Sequence, residues 1–173
     1  MLQLLSCGND WVGADEDQRK SCYSLDGVED DGRIGPGGLS WKIHSQFTED
    51  LYTILSQTAV TLTDIGTYIL GEKTSQFLPK GSNVWVEGPK PAIEGMSFRL
   101  SCAVAVSPTE FVVIGGSPTS KYGNQFSIYN AETNGWTQLE HSSLVPPKNR
   151  GHACTLMKGD RPLVIVTGGL HGN

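Results

Sequence analysis

The chain has few charged and few aromatic residues for its length, and positive charge in particular is sparse. Charged residues make up 18% of the 173 residues and aromatic residues 8%, and the formal net charge is −5. The 13 Lys and Arg residues are scattered along the chain. Binding of nucleic acid without sequence preference needs clustered cations that release phosphate counterions. The composition therefore predicts no nucleic-acid partner.

Long hydrophobic runs are also missing. No apolar run approaches the roughly 18 residues that a membrane-spanning helix requires. The apolar start, residues 1–7, has neither the basic first region nor the full-length apolar region of a signal peptide. We therefore expect no membrane partner, and we interpret this start as a buried strand.

Cysteine is scarce and shows no metal-binding spacing. None of the four cysteines forms a C-x-x-C pair, which argues against a zinc site. Cys102 and Cys154 each lie in a run of small apolar residues, and we expect both to be buried reduced thiols. Cys7 and Cys22 could face each other across adjacent strands, and a disulfide there would imply an oxidising compartment. A cytoplasmic and a secreted location both stay open.

Motifs for catalysis are absent from the sequence. It contains no G-x-S-x-G, no P-loop, no G-x-G-x-x-G and no H-E-x-x-H. The four histidines lie far apart, and His152 is expected to be a core or channel-facing residue. We predict that the chain is not an enzyme and that it holds no metal and no cofactor.

What the sequence does contain is one segment with four short strand patterns, residues 98–136. The strands are predicted at 100–106, 111–114 and 125–129, followed by a run that Trp136 opens. The second run closes on a glycine pair, and the third alternates polar and apolar residues as a half-buried strand does. The turn before the fourth run contains Asn134-Gly135, a pair that accepts positive φ.

The rest of the chain contains partial copies of this segment. Trp85 lies 51 residues before Trp136, and the glycine pair Gly168-Gly169 lies 53 residues after Gly115-Gly116. Arg150 lies 51 residues after Arg99, at the start of a repeated first strand. The copy before residue 95 has a shorter loop between its second and third strands and has Glu72 in place of the second glycine.

A hydrophobic strand that closes on Gly-Gly, followed by a Tyr and then by a Trp, at a period near 50, resembles the kelch repeat. The resemblance implies an all-β fold: part of a β-propeller built from four-stranded antiparallel blades. It also implies that the repeated residues have a structural role in packing each blade on the next. These residues are Gly71, Trp85, Gly115, Gly116, Tyr129, Trp136, Gly168 and Gly169.

The copies divide the chain into four segments. Residues 1–43 resemble a degenerate partial blade with an acidic, Gly-rich insertion, and residues 44–94 a divergent blade. Residues 95–145 resemble a complete blade, and residues 146–173 the first half of another. Since closed propellers have about 4 to 8 blades, we expect either a fragment of a longer propeller or a ring completed by self-association.

The function predicted from this resemblance is binding of another protein through blade loops. In kelch adaptors, arginines near the start of the innermost strand grip acidic groups of a partner peptide by charge-assisted bonds. An alternative is a secreted or surface propeller with a Cys7–Cys22 disulfide and an adhesive or carbohydrate-linked role. A remote alternative is the remnant of a galactose-oxidase-like copper enzyme. The candidate partner-binding residues are Arg99, Arg150, Ser117, Lys121 and Tyr122.

Overall fold

The fold is known from a computed structural model. It describes residues 5–7, 21–26, 33, 36, 40–46, 58–72, 74–91, 97–116, 126–139 and 149–171. All regular structure in these residues is β-strand, and no helix among them could cross a membrane. The predicted all-β class is therefore confirmed for the described part of the chain.

The chain forms two compact units, Met1–Thr53 with Ser82–Trp85, and Ile54–Gly81 with Val86–Asn173. The first unit contains an antiparallel three-stranded sheet, in the order β1-β2-β3. In the pairing of β1 with β2, Cys7 lies directly opposite Cys22, the arrangement that the sequence left open. The strand β3 spans the predicted segment boundary between residues 43 and 44. The three strands are Leu5–Cys7 (β1), Ser21–Asp26 (β2) and Ser40–Gln46 (β3).

The second unit contains three antiparallel sheets, each built from strands that follow one another in the chain. The second sheet comprises Thr58–Leu62 (β4), Gly66–Leu70 (β5), Ser75–Pro79 (β6) and Val86–Glu87 (β7). The third comprises Cys102–Ala105 (β8), Glu110–Ile114 (β9), Phe126–Asn130 (β10) and Gly135–Leu139 (β11). The fourth comprises Asn149–Met157 (β12) and Leu163–His171 (β13).

The first strands of these three sheets lie side by side, β4 against β8 and β8 against β12. Each sheet therefore has an inner strand next to its neighbours and outer strands that extend away from them. The described residues of this unit do not close into a ring.

The strands of the third sheet follow the hydrophobic pattern of the sequence. The β-branched and aromatic run of β9 is buried from Phe111 to Ile114, because sheets pack on both of its faces. In β10, buried and half-buried residues alternate, as the period of two predicts. The hairpin turn that follows is also where the sequence predicts it.

That turn is a four-residue loop in which Asn130 pairs with Gly135. The Asn130 side-chain oxygen accepts hydrogen bonds from the amides of Glu132 and Thr133, both at 3.0 Å. Asn134 has a φ of 50°, whereas Gly135 is not among the positive-φ residues. Only one member of the Asn-Gly pair therefore uses the left-handed region, because the loop is longer than the two-residue turn in which both would.

An aromatic core lies between the second and third sheets. Tyr68 stacks on Phe77 with ring centroids 4.4 Å apart, and it meets Tyr129 edge-on at 5.7 Å. Tyr129 in turn contacts Trp136, with 5.0 Å between the ring centroids. Such contacts add about 0.5 to 1.5 kcal/mol to the hydrophobic gain. Tyr129 and Trp136 therefore pack one sheet on another, which is the role that the repeat pattern predicts.

Backbone conformation and steric constraints explain why two glycines follow β9. Gly115 and Gly116 have φ values of 66° and 135°, a region that only glycine adopts at little cost. A Cβ on Gly116 would lie 2.7 Å from the carbonyl oxygen of Ser97. The second glycine therefore lets the chain between the second and third sheets approach the end of β9.

The two cysteines predicted to be reduced thiols form a disulfide instead. Cys102 in β8 and Cys154 in β12 are bonded, with their Cα atoms 5.8 Å apart. Both strands are inner strands of adjacent sheets, and the apolar cluster around Cys102 includes Cys154. The prediction was wrong because it treated each small apolar run separately, although the repeat places the two runs side by side.

Candidate functional site

A tight turn places Arg99 immediately before the inner strand of the third sheet. The Ser101 amide donates to the carbonyl oxygen of Phe98 at 3.1 Å, and the Ser101 hydroxyl donates to the same oxygen at 2.6 Å. Leu100 has a φ of 60° at the third position of this turn. Phe98 is fully buried, so the turn is anchored in the core while Arg99 stays half-buried at the surface.

A positive φ recurs at Gly151, the third residue of β12, one repeat later. Gly151 has a φ of 62°, matching the 60° of Leu100, and both residues follow an arginine. The Gly151 amide donates to the carbonyl oxygen of Leu100 at 2.8 Å. The backbone therefore brings the two sequence-predicted arginine positions together at the same end of adjacent inner strands. We call the residues Arg99, Leu100, Arg150 and Gly151 the arginine corner.

A carboxylate from the second sheet accompanies the arginine corner. Arg99 Nη1 lies 3.9 Å from Glu72 Oε2, and both side chains are 40% exposed. Glu72 occupies the place that Gly116 has in the third sheet. An ion pair of this length and exposure contributes little to stability, since water competes for both charges. The substitution of the second glycine in this copy thus adds a negative charge beside Arg99.

Arg99 has unused hydrogen-bonding capacity. Its Nε is buried and has no hydrogen-bond partner. A guanidinium offers five N–H donors in a planar fork, and a carboxylate pairs with two of them at once. The buried Nε is out of reach of a ligand, so an acidic group would approach Arg99 from the exposed part of its side chain, where Nη1 lies 3.9 Å from Glu72 Oε2.

Ring stacking and hydrogen bonds hold the core next to the arginine corner. Trp136 stacks on Phe98 with 5.6 Å between ring centroids, and its indole N–H donates to the Lys90 carbonyl oxygen at 2.8 Å. His152 is buried, with Nε2 at 3.0 Å from the Ile114 carbonyl oxygen. Of the two predicted positions, core or channel-facing, the burial of His152 agrees with the first, and its hydrogen bond connects β12 to the end of β9.

The other predicted partner-binding residues lie outside the described part of the chain. These are Ser117, Lys121 and Tyr122, together with the side chain of Arg150, whose backbone is described. Among the repeat residues, Gly71 and Trp85 are both buried, and the pair Gly168-Gly169 has φ values of 71° and 91°. The glycine pair of the fourth sheet thus shares the positive φ of Gly115-Gly116, although it lies within β13 and its second φ differs by about 44°.

The sequence did not predict a cleft of about 650 Å³ between the second and third sheets. Its wall includes Tyr68, Phe77, Tyr129 and Trp136, and the linker Glu87–Pro91 forms its rim. The repeat pattern assigns Tyr129 and Trp136 a structural role in packing the sheets. A sequence pattern does not distinguish an aromatic side chain that only packs in the core from one that also borders a cleft. Arg99, the predicted partner-binding residue whose side chain the structure describes, does not border it.

Two buried tyrosine hydroxyls lie at this cleft. Burial raises the pKa of Tyr68 well above its usual value, and its neighbour Tyr129, to which it is hydrogen-bonded, raises it further. Burial also raises the pKa of Tyr129, although the hydrogen bond with Tyr68 lowers it in part. The Tyr129 hydroxyl donates to Asn134 Oδ1 at 2.7 Å. Both phenols therefore stay neutral at physiological pH and act as hydrogen-bonding groups.

Within the described ranges, no three His, Cys, Asp or Glu side chains are grouped to hold a metal ion. No protein-family model matches the chain, and no curated protein matches it.

Proposed function

We propose that this chain is a protein-interaction module of the kelch-repeat β-propeller type, and that it binds an acidic segment of a partner protein at the arginine corner. Four features support the proposal: the antiparallel four-stranded sheets, the packing role of Tyr129 and Trp136, the repeated glycine pairs, and the side-by-side inner strands. Binding sites on repeat scaffolds commonly lie where neighbouring units present equivalent residues together.

The observation that carries the proposal is the hydrogen bond from Gly151 N to Leu100 O, at 2.8 Å. Because it joins the residues that follow Arg99 and Arg150, the two arginine positions are fixed relative to each other by backbone contacts. A rigid backbone reduces the ordering cost of gripping a ligand with two cations.

Glu72 gives this site a means of selectivity. Its carboxylate lies near one arginine and neutralises part of the positive charge while no ligand is present. An acidic ligand must therefore compete with Glu72 for Arg99, and a ligand with a single isolated carboxylate gains little from that exchange. We propose that the site prefers segments with at least two acidic residues.

The test uses two labelled peptides of about twelve residues on a Gly-Ser background, one with four Glu and the other with four Gln in their places. We expect the Glu peptide to bind about tenfold more tightly at low salt, which corresponds to about 1.4 kcal/mol. Arg99→Gln and Arg150→Gln should each remove most of this preference, and added NaCl should reduce it. Glu72→Gln should strengthen binding, because it removes the competing carboxylate.

Lys158→Gln is the matched control. Lys158 is an exposed cation that follows β12 at its far end, so its removal changes the net charge equally but leaves the arginine corner intact. Equal binding of the two peptides would contradict the proposal. So would a Lys158→Gln variant that loses the preference for the Glu peptide as fully as Arg99→Gln does, since that result would indicate a general effect of charge.

The Cys102–Cys154 disulfide favours the secreted or surface alternative over the cytoplasmic one. Disulfides persist in oxidising compartments and are rare where glutathione and thioredoxin keep thiols reduced. We therefore propose that the module acts outside the reducing cytosol, where an adhesive role is compatible with the same binding corner. The test is peptide mapping of the protein purified from its native source with its free thiols blocked. We expect Cys102 and Cys154 in one pair of linked peptides. Recovery of both as blocked thiols would contradict this alternative.

A further inference from the structure

The turn between β10 and β11 contains Asn134-Gly135, the only Asn-Gly pair in the sequence. Asn134 is exposed to solvent, and Gly135 has no Cβ to shield its backbone nitrogen. In polypeptides generally, such a nitrogen attacks the side-chain carbonyl carbon of the preceding asparagine, and a bulkier following residue hinders the attack. The pair therefore combines an electrophile and an unhindered nucleophile in adjacent residues.

Tyr129 presents a hydrogen-bond donor to the carbonyl group that would be attacked. Its hydroxyl donates to Asn134 Oδ1 at 2.7 Å. Attack by a nitrogen moves negative charge onto this oxygen, and a donor that is already in place stabilises that charge. Packing holds the donor, since Tyr129 is 4% exposed and its ring centroid lies 5.0 Å from that of Trp136. Because burial raises the pKa of Tyr129, the hydroxyl keeps its proton in the mildly alkaline solutions that favour the attack.

Asn130, at the other end of the same turn, is engaged differently. Its side-chain oxygen accepts from two backbone amides of the turn, and its Nδ2 donates to Glu110 Oε1 at 2.9 Å. The nitrogen that would attack it belongs to Ala131, which carries a Cβ and whose N–H donates to the Thr109 carbonyl oxygen at 2.9 Å. Both reacting groups are therefore restrained at Asn130, so the turn contains its own comparison for Asn134.

We propose that Asn134 is a site of spontaneous deamidation and that the Tyr129 hydroxyl assists the reaction. The Gly135 amide gives up its proton, and its nitrogen bonds to Asn134 Cγ. The Cγ–Nδ2 bond then breaks, ammonia leaves with that proton, and a succinimide ring remains. Water opens the ring at either carbonyl, which yields aspartate or isoaspartate, and no atom is oxidised or reduced.

The reaction changes the charge of the cleft between the second and third sheets. Asn134 borders this cleft together with Tyr68, Tyr129 and Trp136. Each product carries a carboxylate where the neutral carboxamide was, and isoaspartate also inserts a carbon atom into the main chain of the turn. Because the change needs only water, it proceeds as the folded protein ages and makes the cleft more acidic.

The test incubates the whole protein in mildly alkaline buffer made with heavy-oxygen water and then maps its peptides by mass spectrometry. Opening of the ring puts heavy oxygen into each product, which separates deamidation during the incubation from earlier change. We expect heavy oxygen at Asn134 in both aspartate and isoaspartate. The rate at Asn130 should be at least about tenfold lower, because its hydrogen bonds must break first. No label at Asn134, aspartate as the sole product, or an equal rate at Asn130 would overturn the proposal.

Two matched variants test the role of Tyr129. Tyr129→Phe removes the donor to Asn134 and should slow deamidation about tenfold. Tyr68→Phe removes a neighbouring buried hydroxyl that is hydrogen-bonded to Tyr129, and it should change the rate by less than about twofold. Equal rates in the two variants, or faster deamidation in Tyr129→Phe, would overturn the proposal.

Gly135→Ala tests the role of the attacking nitrogen while the hydrogen bond from Tyr129 stays in place. Gly135 is not among the positive-φ residues, and the atom nearest to the new Cβ is Thr133 Oγ1, at 3.1 Å on an exposed side chain. The turn should therefore accept alanine, which circular dichroism checks. We expect labelling at Asn134 to fall several-fold, and undiminished labelling in the folded variant would overturn the proposal.

Discussion

Leu100 and Gly151 adopt the same left-handed backbone conformation in successive repeats, and a hydrogen bond joins them directly. Their φ values are 60° and 62°, and the Gly151 amide lies 2.8 Å from the Leu100 carbonyl oxygen. At this position glycine is free of strain, whereas a leucine in the left-handed region costs about 1 to 2 kcal/mol. The third sheet therefore keeps a strained corner where the fourth has a relaxed one, and strained backbone is often found at functional sites.

The first prediction concerns this strain. Leu100→Gly and Leu100→Ala both remove a half-buried side chain, but only glycine relieves the backbone. We expect Leu100→Gly to be about 1 kcal/mol more stable than Leu100→Ala. Urea denaturation measures the difference. If Leu100→Ala were as stable as Leu100→Gly, or more stable, then Leu100 would not be held in the left-handed region.

The second prediction compares two glycines of the repeated pairs. Gly116→Ala should destabilise the protein by about 2 to 3 kcal/mol for two reasons. The new Cβ would lie too close to the Ser97 carbonyl oxygen, and alanine would have to adopt an unfavourable positive φ. Gly168→Ala should cost only about 1 kcal/mol, since it has a positive φ but no atom within 4 Å of the new Cβ. Thermal or urea denaturation gives both values. A larger effect for Gly168→Ala would mean that the close approach at Gly116 is absent.

The third prediction concerns the disulfide. Its cysteines are 52 residues apart, and the chain-entropy model gives a stabilisation of about 4 kcal/mol for a loop of that size. Cys102→Ala with Cys154→Ala should therefore lower the free energy of unfolding by several kcal/mol relative to the oxidised protein. Urea denaturation of the oxidised wild-type protein and of the double variant measures the difference. Equal stability of the two would show that the bond does not hold the fourth sheet on the third.

The fourth prediction concerns the tyrosine pair. The pKa values of Tyr68 and Tyr129 are raised above 10.0 in the folded state, so the folded protein retains these protons after the unfolded chain has lost them. The stabilisation is complete below pH 10 and declines as the pH rises beyond it. Absorbance titration at alkaline pH should show at least two tyrosines ionising late, and one fewer in Tyr129→Phe. Ionisation of every tyrosine at the usual pH while the protein remains folded would contradict the burial of this pair.

The strands of the third sheet were largely predictable from local pattern. Apolar runs, a glycine pair and an Asn-containing turn mark β9, β10 and β11, and the structure places them within about a residue of expectation. The first strand was predicted too long, from residue 100, because the sequence does not reveal the turn formed by Phe98 and Ser101. A leucine with positive φ gives no turn signal of its own.

The disulfide could have been predicted from the period of the repeat. Arg99 and Arg150 set that period at 51 residues, but Cys102 and Cys154 are separated by 52. Since side chains alternate between the two faces of a strand, a shift of one residue puts Cys154 on the opposite face from Cys102. In a stack of sheets, those two faces lie against each other. The prediction failed because it considered whether each cysteine is buried and not which face of its strand each cysteine occupies.

The arginine corner was predictable as a pair of equivalent positions, but its chemistry was not. The sequence places Arg99 and Arg150 at the same point of two repeats, and the hydrogen bond through Gly151 brings them together. The role of Glu72 was hidden, because it was interpreted only as the loss of a glycine. Its contact with Arg99 depends on how two sheets are packed, which no local pattern encodes.

The Cys102–Cys154 bond also determines how the chain transmits mechanical force. A pull applied to the two ends of the second unit passes from β8 into β12 through the sulfur atoms and bypasses the 51 residues between them. Strands β9, β10 and β11 then carry no tension, whatever happens to the second sheet. In a stretched oxidised molecule the third sheet would be the last to extend, and in a reduced one it would extend with the rest.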